Sequence, residues 1–330
     1  MVDTTMNGTK EPTNKAKPKS PTIDLFKSDL RPMQYWAIRA EDKIRLWAQG
    51  KAEGESTGFS EFDKYFRMVD GELTTIAARP SQGKTALGMQ IVENIAKSLK
   101  RRGDPGCVAV FSAEMTGWAL LHRMASVLVG VNAHKLRMGQ GTQEEADKLL
   151  GGIERIKNLP IWIDDGSAPT TANMLSSLAR LNETNPVRLM MFDFLELGGN
   201  RGDKEDQRIG QIAIALKDIS KTLGIPVLVL SQVNRSVESR ANKMPSLSDL
   251  RYSGMIEQIS DVVVFIMRPE YYVERGMTVD VPVDDYVGVA YIGIAKNRQG
   301  PVTNVKLSFE KQYARFGNLS QRKIMLNEAG

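Results

Sequence analysis

The sequence predicts an α/β fold built on a mostly parallel sheet. Three observations carry that expectation. Strand-like and helix-like runs alternate from about Thr57 onward, several strand-like runs are apolar without interruption ("VAVF", "VLVL", "VVVFIM"), and residues 78–85, "ARPSQGKT", join an apolar run to a helix-like one. Alternating elements pack helices onto a sheet, and strands covered on both faces lose the in–out alternation of half-exposed ones. The third stretch has the form of a phosphate-binding loop, G-x-x-x-x-G-K-[ST], at Gly83, Lys84 and Thr85, with Ala78 in place of the first glycine.

The bulk composition narrows the class. At 330 residues, 42% hydrophobic and 25% charged, the chain has enough apolar material for a sizeable core. No apolar run approaches the roughly 18 residues that span a bilayer, and "MVDTTMNGTK" lacks the apolar centre of a secretory signal. A single cysteine, Cys107, excludes an internal disulfide framework and a zinc knuckle, and His122 and His134 fall on helix-like sequence. The expected location is the cytoplasm, with no membrane partner. A net charge of +5 permits a polyanion partner without requiring one.

Residues 1–30 begin with a Lys-, Pro- and Thr-rich stretch that cannot offset its ordering entropy, so a disordered basic tail is expected there. Residues 31–56 then hold a helix and a connector. Trp36, Ala40, Ile44 and Trp47 recur on one helical face and Gly50 is a stop signal. That apolar stripe has two open destinations: the chain's own domain, or another subunit. The α/β unit occupies 57–320, with strands expected at Leu73–Ala77, Val108–Ser112, Ile161–Asp164, Leu189–Asp193, Val227–Ser231 and Val262–Met267. Thr142–Lys157 reads as a helix with a Thr142/Glu145 capping box. "GVAYIGIAKNRQGPVTNVKLSFE" reads as a C-terminal β-hairpin turning at Gln-Gly-Pro, and 321–330 as a short tail.

A loop between strand and helix suits a nucleotide, because backbone N–H groups and the helix dipole both favour phosphate. The cradle residues are Ser81, Gln82, Gly83, Lys84, Thr85 and Ala86. Lys84 would reach the β- and γ-phosphates of ATP and Thr85 would hold Mg2+. Gly83 allows close backbone approach, and Ala78 is tolerable provided its φ stays negative. Asp193, ending the run "RLMMFD", is the expected second metal-side residue; its plainer reading is a loop carboxylate. Glu114 lies just beyond a strand on the carboxyl edge where α/β ligands bind, suited to orient an attacking water or merely to open a helix. Gln232, at the end of "VLVLSQ", could sense the γ-phosphate.

In order and spacing, "TGFSEFDK", "AARPSQGKT", "FSAEM", "FDFLEL", "LSQVNRSVESRANKMPSLSDLRYSGMIEQISDVVVFIMR" and "AKNRQGP" resemble the RecA-like motor domain of the DnaB replicative helicases, over about Thr57–Phe316. In that family the loop commonly begins with Ala. The resemblance implies that Lys84 and Thr85 bind phosphate and magnesium, that Glu114 is the catalytic base, Asp193 the Walker-B carboxylate and Gln232 a sensor. It further implies that Lys296 and Arg298 reach into a neighbouring subunit's ATP site, Arg298 as an arginine finger; without the family they read as two solvated charges on a hairpin tip. A finger acting in trans implies a ring, the family's hexamer, with the helix at 31–50 as the linker that docks on the adjacent motor.

Single-stranded DNA contacts are then expected from Arg201, Lys204 and Arg208 in 195–208, and from Arg235, Arg240, Lys243, Arg251, Ser253 and Gly254 in 234–254. Tyr252 stands where the family usually has an acidic residue, and stacking on a base or filling space are both open. The family's N-terminal helical domain has no counterpart in the residues preceding the helix, so dependence on a primase or helicase loader is open, and a shortened version from a bacterial or phage-infected cytosol is expected. The activity implied is ATP-dependent unwinding with 5′–3′ translocation during DNA replication. The alternatives are a RecA-like recombination or clock-type ATPase without unwinding, and a non-catalytic DNA-binding scaffold.

Overall fold

The computed structural model describes residues 30–319 apart from 168, 194, 198–204 and 251–252. Residues 1–29 and 320–330, expected as tails, therefore lie outside the described residues. The chain opens with helix α1 (Met33–Ala48) and the short α2 (Ser60–Asp63), then β1 (Leu73–Ala78) and α3 (Lys84–Arg102). Strand β2 (Cys107–Ser112) leads to α4 (Gly117–Val129), α5 (Ala133–Arg137) and α6 (Gln143–Ile156). Next come β3 (Ile161–Asp164), α7 (Thr171–Thr184), β4 (Val187–Asp193), α8 (Glu205–Leu223) and β5 (Val227–Gln232). Helix α9 (Ser253–Ile259), β6 (Val262–Met267), α10 (Pro269–Val273) and strands β7 (Val289–Asn297), β8 (Thr303–Glu310) and β9 (Arg315–Asn318) complete it.

These strands form one sheet in the order β3-β2-β4-β5-β1-β6-β7-β8-β9. The first six in sequence are mutually parallel, and β7, β8 and β9 add antiparallel to β6. The expected mostly parallel sheet is what forms. The terminal hairpin is larger than expected, because "RFGN" adds a third strand through the Phe309–Phe316 pair. So short a run carries too little periodicity to read as a strand from sequence.

The period of two sends alternate residues to opposite faces. On one face Ile76, Val110, Leu189, Met191 and Leu230 pack with Leu87, Ile91 and Ile95 of α3. On the other, Ala77, Ala109, Met190, Phe192 and Val229 pack with Leu178 of α7 and Ile212 and Leu216 of α8. Asp193 follows Phe192, so parity turns it to the α3 face.

Helix α6 carries the expected capping box, with the Glu145 N–H donating to Thr142 Oγ1 (3.2 Å) and the Thr142 N–H to Glu145 (2.9 Å). Helix α1 ends where predicted, before Gly50 at φ +73°. Its apolar stripe does not fold back on the chain: Trp36, Ile44 and Trp47 are 53%, 55% and 50% exposed, and no residue of the helix is buried. Among the described residues no helix is long and apolar enough to cross a membrane.

Candidate functional site

At the carboxyl edge of the parallel strands lies a cleft of about 620 Å³, lined by Ser81, Lys84, Thr85, Glu114 and Gln232 among others. Strand β1 ends at buried Ala78, whose φ is not positive, so the substituted first loop position is unstrained. The loop then turns through two left-handed residues, Ser81 (φ +66°) and Gly83 (φ +100°), before α3 begins. For a non-glycine residue that region costs about 1 kcal/mol, and Arg268 holds Ser81 there. Its guanidinium donates to the Ser81 carbonyl (3.0 Å), its backbone N–H donates to Gln82 Oε1 (2.8 Å), and it stacks 3.8 Å over the Phe309 ring. Gly83 has a second reason to lack a side chain: a Cβ would lie 2.9 Å from the Phe316 ring. The loop's floor is thus aromatic and comes from β8 and β9.

Within the cleft Asp193 is fully buried, and among the described residues neither of its oxygens has a partner of good hydrogen-bond geometry. Lys84 Nζ stands 3.9 Å from Oδ1, too far for a hydrogen bond but close enough for strong attraction. Burial pushes the Asp193 carboxyl up, and Lys84 and the nearby Thr85 oppose it. Burial likewise pushes the Lys84 ammonium down, against Asp193, Glu196 and Glu114. A buried carboxylate with unused oxygens, beside the cleft-lining Thr85, fits a hard oxygen-seeking cation such as Mg2+. Among the described residues no group of three His, Cys, Asp or Glu could hold a metal unaided, so such an ion would arrive with phosphate oxygens completing its shell.

Glu114 is exposed into the cleft because the Ser112 hydroxyl and the Met115 backbone close the intervening turn (2.7 and 3.1 Å). Gln232 ends β5 opposite Ala78, its N–H bonded to Glu196 Oε1 at 2.7 Å. Glu196 went unnoticed in the sequence; it is buried and also accepts from Ser231 Oγ, clamping the ends of β4 and β5. Arg79 was missed too. It donates to Glu238 (2.8 Å) and the Val233 carbonyl (2.9 Å), tying the phosphate loop to the segment after β5.

The expected DNA-facing residues divide. Arg201, Lys204, Arg251 and Tyr252 lie outside the described residues, and Ser253 and Gly254 open α9. Arg235 projects an 87% exposed side chain. Arg240 is half-exposed and bonded to Asp249 (2.6 Å), while Arg208 donates to the Glu196 carbonyl (3.0 Å). Lys243 is a correction. It is 6% exposed, and its ammonium donates to the Glu238 and Arg240 carbonyls (2.7 and 2.6 Å), which makes it a staple inside the loop instead of a surface cation.

Lys296 and Arg298 are not brought to this cleft. Strand β7 runs antiparallel to β6, so Asn297 pairs with Val262, which pairs with Thr74 at the start of β1. The two cations therefore sit on the amino edge, a strand's length (about 15–20 Å) from the loop that follows β1.

A sequence model of the DnaB-like helicase C-terminal domain matches residues 54–318. The chain belongs to that family. It is 36% identical over 294 residues to the replicative DNA helicase DnaB of Geobacillus stearothermophilus, covering 86% of this chain and 61% of that protein. With the DnaB of Buchnera aphidicola subsp. Baizongia pistaciae the identity is 39% over 279 residues, covering 82% and 57%. The chain thus spans about three fifths of these curated relatives' length. Among solved structures, an isolated ATPase domain superposes with a TM-score of 0.77 at 30% identity, covering 88% of this chain and 99% of that one. A DnaB-like replicative helicase studied with its primase interactions gives 0.74 at 29%, covering 88% and 67%.

In this DnaB-like domain the amino edge is electrostatically loaded. Burial first, then the charge of Asp261, pushes the Glu72 carboxyl up to about 6 from an ordinary 4.5. Between those values the folded chain keeps a proton that the unfolded chain has lost, so stability falls as pH rises through that window. The difference corresponds to about 2 kcal/mol, reduced to about 1 by screening at a half-solvated group. Glu72→Gln should therefore melt about 2 °C above the parent at pH 8, the curves converging near pH 4.5. An equal or lower melting temperature at pH 8 would contradict that electrostatic reading.

Proposed function

We propose that the chain is the motor of a ring-forming, ATP-dependent helicase that moves 5′ to 3′ along single-stranded DNA during replication. The observation that carries this reading is the split of the catalytic parts: a phosphate-loop cleft with a buried, unsatisfied Asp193 on one edge, and Arg298 on the opposite edge. A cation there cannot serve its own cleft but can serve a neighbour's. The exposed α1 stripe supports the same assembly, since it needs a second copy to cover it. The family relationship supports a hexamer acting on DNA in the cytoplasm, and the structural neighbour studied with primase supports primase, and with it a loader, as partners.

In this reading the loop N–H groups and Lys84 bind the polyphosphate of ATP. Thr85 and Asp193 hold Mg2+, which supplies charge neutralisation at the β- and γ-oxygens. Glu114 accepts the proton of the attacking water. Arg298 of the adjacent copy stabilises charge on the transferring phosphoryl group, and a guanidinium suits this because it stays cationic and bonds bidentately. Gln232 and Arg79, both joined to the segment after β5, relay the state of the cleft to Arg235 and its neighbours.

The test uses two forked substrates that differ only in which strand carries the free tail. Unwinding that requires ATP and a free 5′ tail is expected. Strand-stimulated ATPase without unwinding on either fork would reduce the proposal to a motor that needs a loader, and neither activity would point to a scaffold.

A further inference from the structure

Asp261 stands between α9 and β6, on the amino edge, and is 5% exposed. Its Oδ2 accepts from the Leu73 N–H (2.8 Å) and from Lys217 Nζ (2.6 Å). Its Oδ1 accepts from the Arg298 guanidinium (3.0 Å), its carbonyl accepts from the Arg298 N–H (3.0 Å), and its own N–H donates to the Leu73 carbonyl (2.9 Å). One residue thus joins the first rung of β1, helix α8 and the residue after β7.

Resting on the trans reading above, we propose that Asp261 is a positioning residue for Arg298: it fixes the guanidinium that completes the neighbouring copy's ATP site. A finger works only if its charge is already in place when the phosphoryl group moves, because reorienting it during the reaction would forfeit the preorganised field. An arginine at a strand end has four flexible bonds and would otherwise sample many rotamers. Here a second guanidinium nitrogen donates to the Gln258 carbonyl (2.7 Å), so the planar group is held at two points while its side chain stays 47% exposed. Two of its five N–H groups are bonded this way, leaving the rest for an incoming phosphate. Lys217 shares the carboxylate, so Asp261 does not cancel the guanidinium's charge. Lys296 is fixed beside it by the Glu257 carbonyl (2.5 Å), a backbone anchor that does not involve Asp261. The anchor is rigid because β1 and β6 are paired in the sheet interior, and the Thr75 and Ser260 hydroxyls bond across them at 2.7 Å.

The test is Asp261→Asn in the full chain. Asparagine offers one acceptor oxygen, so it can serve the Leu73 and Lys217 side or the Arg298 side, but not both. Turnover of ATP should fall about 10- to 100-fold, the scale of an ångström-level misplacement, with KM within a few-fold of the parent. Mixing with Glu114→Gln chains should restore activity, because those chains bring an intact finger to the variant's intact cleft. The double variant with Arg298→Ala should be no slower than Arg298→Ala alone. If Asp261→Asn does not melt cooperatively, Asp261→Glu replaces it, keeping the charge for Lys217 while displacing the guanidinium, with the same rescue expected. Turnover within two-fold of the parent, or a loss that no mixing ratio repairs while Arg298→Ala is repaired, overturns the inference. If Arg298→Ala itself is not repaired, the trans reading fails and this inference falls with it.

Discussion

An Arg298→Ala chain is expected to bind ATP within a few-fold of the parent yet turn it over about 10³–10⁵-fold more slowly. Geometry gives the first reason. Arg298 lies on the amino edge, bonded to Asp261 and Gln258, while the cleft opens on the carboxyl edge. Its loss therefore leaves the chain's own loop, Lys84 and Asp193 untouched, and binding of the ground state with them. What disappears is charge stabilisation in the transition state, which lowers kcat without raising KM. Mixed with Glu114→Gln chains, the variant should regain turnover, since some interfaces then pair an intact Glu114 with an intact Arg298. Absence of rescue at every ratio would show that Arg298 does not act across subunits.

Lys84→Ala should remove detectable ATPase activity, a fall of at least about 10²–10³-fold for loss of one preorganised donor at a developing charge. Nucleotide affinity should fall as well, because the ammonium contacts the phosphates in the ground state. A second effect follows from burial. Lys84 is the cation nearest Asp193, whose carboxyl burial already pushes up. Without the ammonium, ionised Asp193 is less favourable still in the folded state, so the variant should lose more stability at pH 8 than at pH 6 relative to the parent. Titrating a fluorescent ATP analogue and melting the apo variant at the two pH values would check both parts. Normal turnover would remove the phosphate-loop assignment.

Much of the cleft was legible because its information is local. A loop whose residues are consecutive, Ser81 to Ala86, can be read from spacing alone, and the turn of Asp193 toward α3 follows from strand parity. The capping box of α6 is likewise confined to four adjacent positions. What escaped was contributed by partners distant in the chain. Glu196 meets Ser231 across 35 residues, Arg268 meets Gln82 across 186, and Asp261 meets Leu73 across 188. No periodicity encodes such pairings. Lys243 illustrates the converse error: in sequence it is one more lysine in a basic loop, and only its neighbours' carbonyls make it a buried staple. Gly83 was expected on account of phosphate approach, yet the ring beneath it belongs to Phe316 in a strand the sequence did not suggest.

The placement of Arg298 on the edge opposite Lys84 changes what separation within the chain means. Substitutions more than about 7–10 Å apart ordinarily have additive effects. In the proposed assembly Lys84 of one copy and Arg298 of the next share a single nucleotide, so changes at these two far-apart positions should be strongly non-additive. Glu238 and Lys296, both outside that shared contact, should behave independently of each other. Epistasis in this protein would then map the seams between copies rather than the fold of any one of them.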